Sequence, residues 1–265
     1  MNFEEKSIEI FLILLLCRWF RCNNLHLHIM PKSLEIDPSL SKEENFKNGQ
    51  VILIDKPLEW TSFGVVKKIR YNIGIKKIGH AGTLDPLASG LLILCTGKKT
   101  KSIESYMADV KEYTGSFTLG STTPSYDLES EPTPAVDISH LTAEAIQQNT
   151  ENFIGEITQT PPIFSAIKVD GKRAYDLARA GKDVELKSRQ VTISEFEIVS
   201  LDLPKVNFRV VCSKGTYIRT LANDFGEKLG VGAYLSALRR TKIGEHSVDE
   251  AWQLEDFINY VKTIE

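Results

Sequence analysis

Asp85 is the residue of this chain best placed to do chemistry. It stands inside Gly79-His80-Ala81-Gly82-Thr83-Leu84-Asp85-Pro86-Leu87-Ala88-Ser89-Gly90, with three glycines, one histidine and one carboxylate. Glycine permits backbone angles that other residues avoid. Pro86 turns Asp85 out of the α region toward extended backbone. The spacing predicts a shaped loop, neither helix nor strand, that displays one candidate nucleophile. The competing reading is a surface turn in which Asp85 caps its own backbone.

Two further segments could serve such a carboxylate. In Cys212-Ser213-Lys214-Gly215-Thr216-Tyr217-Ile218-Arg219-Thr220-Leu221 a strand ends, a glycine turns and a helix begins. Helix N-termini favour anions, and Arg219 near that start can pair with a carboxylate from elsewhere. The plainer alternative is a structural junction with a solvated arginine. Lys111-Glu112-Tyr113 opens an alternating run in which Tyr113 offers an aromatic face, either to a ligand or to the core.

Other chemistries lack their residues. Gly90 to Gly97-Lys98 has six residues between its glycines, and Lys99 where a phosphate loop requires Ser or Thr. No dinucleotide fingerprint or nucleophile elbow occurs. Cys17, Cys22, Cys95 and Cys212 lack Cys-x-x-Cys spacing and histidine partners, so no metal site is expected. Cys95 and Cys212 read as buried thiols in a reducing compartment.

The elements that must position these residues follow from periodicity. A strand over 50–54 enters Asp55-Lys56-Pro57. Ser62 is expected to cap a helix with a stripe of Phe63, Val66, Ile69 and Ile73, ending at Gly74. Lys67, Lys68, Arg70, Lys76 and Lys77 leave a basic surface on and after it. Strands are expected over 91–96, 111–119, 191–199 and 206–212. Helices are expected over 142–154, from Thr216 onward, and briefly over 174–179 and 233–240. The absence of a regular βα alternation predicts an α+β domain with a mixed, largely antiparallel sheet flanked by helices.

With 265 residues, 42% hydrophobic and 25% charged, the chain is ordinary for a globular protein. The net charge of -3 hides an uneven distribution: residues 47–115 carry eleven Lys/Arg against six Asp/Glu, and residues 127–151 are acidic. One basic face suits a phosphate backbone. The apolar run 10–17 is too short to span a bilayer, and the acidic residues before it do not suit a signal peptide. Residues 1–29 are expected to be an artefactual upstream extension or a poorly ordered tail.

Together these segments resemble the TruB-type tRNA pseudouridine synthases. The glycine loop through Leu92 is similar to that family's catalytic motif. Asp55-Lys56-Pro57 with Trp60-Thr61-Ser62 is similar to its first motif. Lys111-Glu112-Tyr113 with Leu119-Gly120, residues 161–168 with 171–175, residues 212–221 and Leu238-Arg239-Arg240-Thr241 also match, in order, across residues 48–257. The resemblance implies isomerisation of uridine to pseudouridine, at position 55 of the tRNA T-loop, by base flipping and an essential aspartate, with no cofactor. It implies that Asp85 is that carboxylate and that Arg219 pairs with it. Tyr113 would stack on the flipped base, and Tyr217 and Leu238 would complete the pocket. His80 would occupy the place the base leaves, and Lys56 would brace the site. The excursion 159–189 is similar to the family's RNA-gripping segment, making Lys168, Lys172, Arg173 and Arg179 phosphate contacts.

On this reading residues 1–47 form an extension, 48–257 the catalytic domain around a central RNA-binding cleft, and 258–265 a tail. The family's C-terminal PUA-type domain is expected to be missing. The partner is the T-arm of tRNA; a cytoplasmic monomer, with no membrane and no obligate protein partner, is expected. Two rivals are an RNA-folding binder without chemistry and a phosphotransferase using Asp85. The first does not require Asp85, Tyr113 and Arg219. The second lacks a nucleotide loop and a second carboxylate for magnesium.

Overall fold

The structure is a computed structural model that describes residues 34–264, apart from 166–167, 170–171 and 174–185. The expectations for residues 1–29, for a helix over 174–179 and for Arg179 lie outside the described residues. The first element is helix α1 (Lys42–Asn48), fixed by a capping box between Ser41 and Glu44. Its Phe46 is fully buried with Leu34 and the next strand. The expected domain start at residue 48 therefore falls inside a packed helix.

Strand β1 (Val51–Lys56) leads through a tight connection into α2 (Ser62–Ile73). Thr61, one residue earlier than expected, caps α2 by accepting from Gly64 N–H, and Gly74 ends it in the left-handed region. The buried stripe is Val65, Val66, Ile69 and Ile73, while Phe63 is 64% exposed. Moving the cap shifts the helix start, and Val65 takes the inward position assigned to Phe63. Strands β2 (Ile78–His80) and β3 (Ala88–Thr96) bracket the glycine loop. The segment expected to be all loop thus contributes both ends to strands, with only 81–87 between them. A 3₁₀ turn (Gly97–Ser102) and α3 (Ile103–Ala108) lead to β4 (Lys111–Leu119).

Thr142 caps α4 (Ala143–Asn149), which runs into a 3₁₀ turn ending at Phe153. Then follow β5 (Gly155–Gln159), a two-stranded ribbon of β6 (Lys168–Val169) and β7 (Lys172–Arg173), β8 (Arg189–Asp202) and β9 (Lys205–Cys212). Helix α5 spans Ile218–Lys228. Thr216 does not cap it; its hydroxyl donates to Ser213 O at 2.9 Å and closes the preceding turn. The remaining elements are β10 (Ala233–Ile243), β11 (His246–Ser247), β12 (Trp252–Gln253) and α6 (Leu254–Lys262). Ile258 and Val261 of α6 are buried, so the expected tail 258–265 includes half of a core helix.

The largest correction concerns residues 233–240, expected as helix and found as the centre of a strand. β10 pairs parallel with β3 and antiparallel with β4, with a register break between Leu235 and Ala237. Together with a second break between Arg240 and Lys242, that bulge interrupts the two-residue alternation, so the buried Ala233, Leu235, Arg240 and Ile243 do not keep a strand's every-second-residue pattern. Among the described residues the main sheet has ten strands, ordered β12-β1-β3-β10-β4-β9-β8-β5, with β2 on β3 and β11 on β10. The β12–β1 and β3–β10 pairs are parallel and the others antiparallel. This is the mixed, largely antiparallel α+β sheet that the sequence predicts.

Among the described residues three clusters of buried apolar side chains hold the sheet, one of them joining Leu53, Leu91, Ile93 and Ile243 from β1, β3 and β10. On one half, α4 and α5 pack on β4, β8, β9 and β10, with Phe117 stacked on Phe208 at 4.1 Å between ring centres. On the other, α1, α2 and α6 cover β1 and β3. Cys95 and Cys212 are buried free thiols, pushed up to about 11 by burial. No helix among the described residues is long and apolar enough to cross a membrane.

Candidate active site

The loop carrying Asp85 is tied down on both sides of that residue. Before it, the Ser62 hydroxyl accepts from Leu84 N–H at 2.9 Å and donates to Leu84 O at 3.0 Å. After it, Pro86 O accepts from Glu59 N–H at 2.8 Å and lies 3.4 Å from the Lys56 ammonium. Lys56 is completely buried and donates to Pro57 O and Trp60 O at 2.9 and 2.6 Å. Burial depresses its pKa to about 8, against the pull of Asp85. Lys56 thus ties the loop to the β1–α2 connection, and Ser62, which the sequence reading took for a cap, ties it to α2. Inside the loop Ala88 N–H donates to Asp85 O at 3.1 Å. Asp85 is thus held by its backbone, leaving its carboxylate free to point outward.

That carboxylate meets Arg219. Arg219 Nε lies 3.0 Å from Asp85 Oδ2 and 3.6 Å from Asp127 Oδ2. Arg219 and Asp127 are buried, while the Asp85 side chain is 39% exposed. Asp127 is a second carboxylate near Asp85, and the Arg219 guanidinium stands between the two. Burial raises the Asp85 pKa most; Arg219 pulls it down, Asp127 pushes it up and Lys56 pulls it down, the net direction being up. Asp127 is held by its backbone, whose carbonyl accepts from the Thr123 and Ser125 hydroxyls, and by Glu129 N–H donating to Oδ1. In sequence it opens an acidic stretch and carries no local motif, so only the fold reveals it.

Asp85 opens into a cleft of about 800 Å³, whose lining includes Tyr113, Tyr217, Arg219 and Leu238. The structure therefore brings these five residues into one cavity. Tyr113 comes from β4; burial raises its phenol pKa, and Arg240 works against that rise. Tyr217 is clamped by the buried Gln159, whose Oε1 accepts from Tyr217 N–H at 3.0 Å. Arg189 lies over the Tyr217 ring, 4.5 Å from its centre. Leu238 pairs with Ala88 on one side and Gly115 on the other. Gln159 and Arg189 were visible only as the ends of a long excursion.

His80 and Lys56 stand outside the cleft lining. His80 ends β2 opposite Leu94, half-buried. Burial, then the charge of Arg240, lowers its pKa, so the ring is neutral at neutral pH. Lys168, Lys172 and Arg173 lie on the separate β6–β7 ribbon. Among the described residues no group of His, Cys, Asp and Glu could hold a metal ion.

Residues 70–218 match the family described as TruB family pseudouridylate synthase (N terminal domain). Residues 219–265 match the tRNA pseudouridylate synthase B C-terminal domain. The chain is 54% identical over 219 residues to tRNA pseudouridine synthase B of Phocaeicola vulgatus, covering 80% of this chain and 93% of that protein. It is 54% identical over 215 residues to the Flavobacterium johnsoniae protein of the same name, covering 78% and 94%. Among solved structures it is similar to a chain of a Cbf5-Nop10-Gar1 complex, with a TM-score of 0.64 and 30% identity. That match covers 89% of this chain and 61% of the other.

Proposed function

This chain belongs to the TruB family of pseudouridylate synthases, and from that premise we propose that it isomerises uridine to pseudouridine in tRNA, at position 55 of the T-loop. Its relatives named tRNA pseudouridine synthase B match it over nearly their whole length. The observation that carries the reading is the Asp85–Arg219 ion pair at the wall of a cleft large enough for a flipped nucleotide and lined by two tyrosines.

The reaction breaks the N1–C1′ bond and forms C5–C1′; C5 loses a proton and N1 gains one. Atoms and electrons are conserved, and no redox step occurs. The reaction needs Asp85 ionised; Arg219 favours that form, against burial, which raises its pKa. Its carboxylate is the group that engages the nucleotide. The base must first leave the stack, at a cost of about a few kcal/mol. Stacking on Tyr113 offsets about 1–3 kcal/mol of that. Tyr217 and Leu238 close the pocket, and the neutral His80 is suited to the space the base leaves. Lys56 and Ser62 keep the loop in place while the base turns.

The segment 159–189 is the one we assign to the RNA backbone, through Lys168, Lys172 and Arg173 of the β6–β7 ribbon and through Arg179. The catalytic unit includes α1 and α6, whose apolar residues complete its core. The protein is proposed to act as a monomer in the cytoplasm, on the T-arm, without an obligate protein partner. A tRNA transcript labelled with tritium at uridine C5 tests the reading, because the isomerisation must release that label to water. Release up to one equivalent per tRNA, absent when position 55 is cytidine, is expected. Release indifferent to that replacement would move the target, and no release would remove the assignment.

A further inference from the structure

Arg240 is the largest fully buried side chain described, and the isomerisation as derived above gives it no task. It lies on β10, the strand between the two that carry the chemistry. Its Cα partners are Gly90 on β3, at the end of the Asp85 loop, and Tyr113 on β4. Arg240 Nε donates to Leu91 O at 2.8 Å, and Nη2 donates to Gly82 O at 3.0 Å. One guanidinium therefore fastens the loop at both ends, while its charge bears on the Tyr113 hydroxyl. Gly90 must be glycine for this arrangement: with φ +102°, an added Cβ would lie 2.3 Å from Arg240 O.

A buried arginine used only to satisfy two carbonyls is an expensive device, because desolvating a charge costs several kcal/mol. The groups facing Tyr113 decide what else the charge does. In a cleft also lined by Glu104, Lys111, Arg189, Lys214 and Arg219, the groups that bear most on Tyr113 are Arg240 from β10, Cys212 from β9 and Asp85 from the loop. Cys212 is a neutral thiol at ordinary pH, and Asp85 opposes a phenolate. Arg240 is the cation among them. It stabilises the deprotonated form of Tyr113 and directs the phenol oxygen as an acceptor.

We propose that Arg240 is a positioning residue of the reaction, locking the Asp85 loop to the Tyr113 strand and holding the Tyr113 oxygen as an acceptor over the bound uracil. This rests on the pseudouridine synthase reading. It concerns Tyr113's protonation as well as its place, so it makes a prediction that a purely structural arginine would not.

The test compares wild type, Arg240→Lys and Arg240→Gln by single-turnover pseudouridine formation at saturating enzyme, from pH 6 to 9.5. Affinity for tRNA and melting temperature are measured alongside. Affinity within about twofold of wild type is expected. The rate should fall by about ten- to a hundredfold in Arg240→Gln and less in Arg240→Lys, which keeps the charge. Losing the cation raises the tyrosine pKa, so the rise of rate with pH should move to higher pH in Arg240→Gln and stay nearer wild type in Arg240→Lys. If Arg240→Gln does not fold, the lysine variant alone must show the lower rate with unchanged affinity. A profile flat in all three proteins, a lysine variant no better than the glutamine variant, or losses that simply track melting temperature would overturn the proposal. Failure of the wild type itself to form pseudouridine would instead overturn the reading beneath it.

Discussion

Replacing Arg219 tests the ion pair on which the site depends. At 3.0 Å and an effective dielectric constant of about 20, the Arg219–Asp85 attraction is roughly 5 kcal/mol. The Asp85 side chain is 39% exposed, so solvent screening reduces the usable part to about 2 kcal/mol. Arg219→Ala also leaves Asp85 and Asp127 facing each other without the cation between them, which adds to that loss. The carboxylate must be ionised to act, so the acid limb of the rate profile should move to higher pH when Arg219, which favours the ionised form, is removed. Loss of aim adds a further penalty, since a misplacement of about 1 Å can cost about a hundredfold. Single-turnover rates at pH 7.5 should fall by roughly 10² to 10³. Arg219→Lys, which keeps the charge but loses the Nε that lies between the two carboxylates, should recover about tenfold. The assay is quenched tritium release at enzyme concentrations well above the tRNA dissociation constant. An Arg219→Ala protein within threefold of wild type, with an unmoved acid limb, would refute the reasoning.

Three further outcomes follow from the same geometry. Lys56→Met keeps the volume but strands buried carbonyls, costing about 2 kcal/mol, or roughly 4–8 °C in melting temperature. Because Lys56 is depressed to about 8 in the fold, wild-type stability should climb between about pH 8 and the unfolded lysine value; the variant should lack that climb. Asp85→Asn should melt at or above wild type at pH 7. The folded pKa is raised, so stability is full below the unfolded value and lost as pH rises through the folded one. The difference should vanish at pH 3, and a variant several degrees less stable at pH 7 would contradict the assigned direction. Gly90→Ala must separate β3 from β10, so a loss of about 3 kcal/mol or more is expected in denaturant unfolding.

The chemistry was more legible in the sequence than the parts that hold it. Asp85, Tyr113, Tyr217, Arg219 and Leu238 line one cleft, as the motifs imply. Their supports were misread where local pattern and tertiary pairing disagree. Breaks after Leu235 and after Arg240 interrupt the alternation that marks a half-buried strand, so residues 233–240 did not display it. Ser62 and Thr61 both suit an N-cap, and only the contact between Ser62 and Leu84 distinguishes them. Asp127 is 92 residues from Arg219, in a connection without periodicity, so nothing local announces it. Arg240 was visible within a motif, but its burial depends on the strand order, which the sequence does not encode locally.

The central claim is that Asp85 is the group that isomerises uridine rather than one that merely helps bind RNA. Unmodified tRNA transcript, incubated with wild type or Asp85→Asn and then mapped for pseudouridine at single-nucleotide resolution, addresses it directly. The account predicts pseudouridine at position 55 with wild type, and none with Asp85→Asn although that variant still binds the transcript. Pseudouridine formed by Asp85→Asn at the wild-type rate would contradict it.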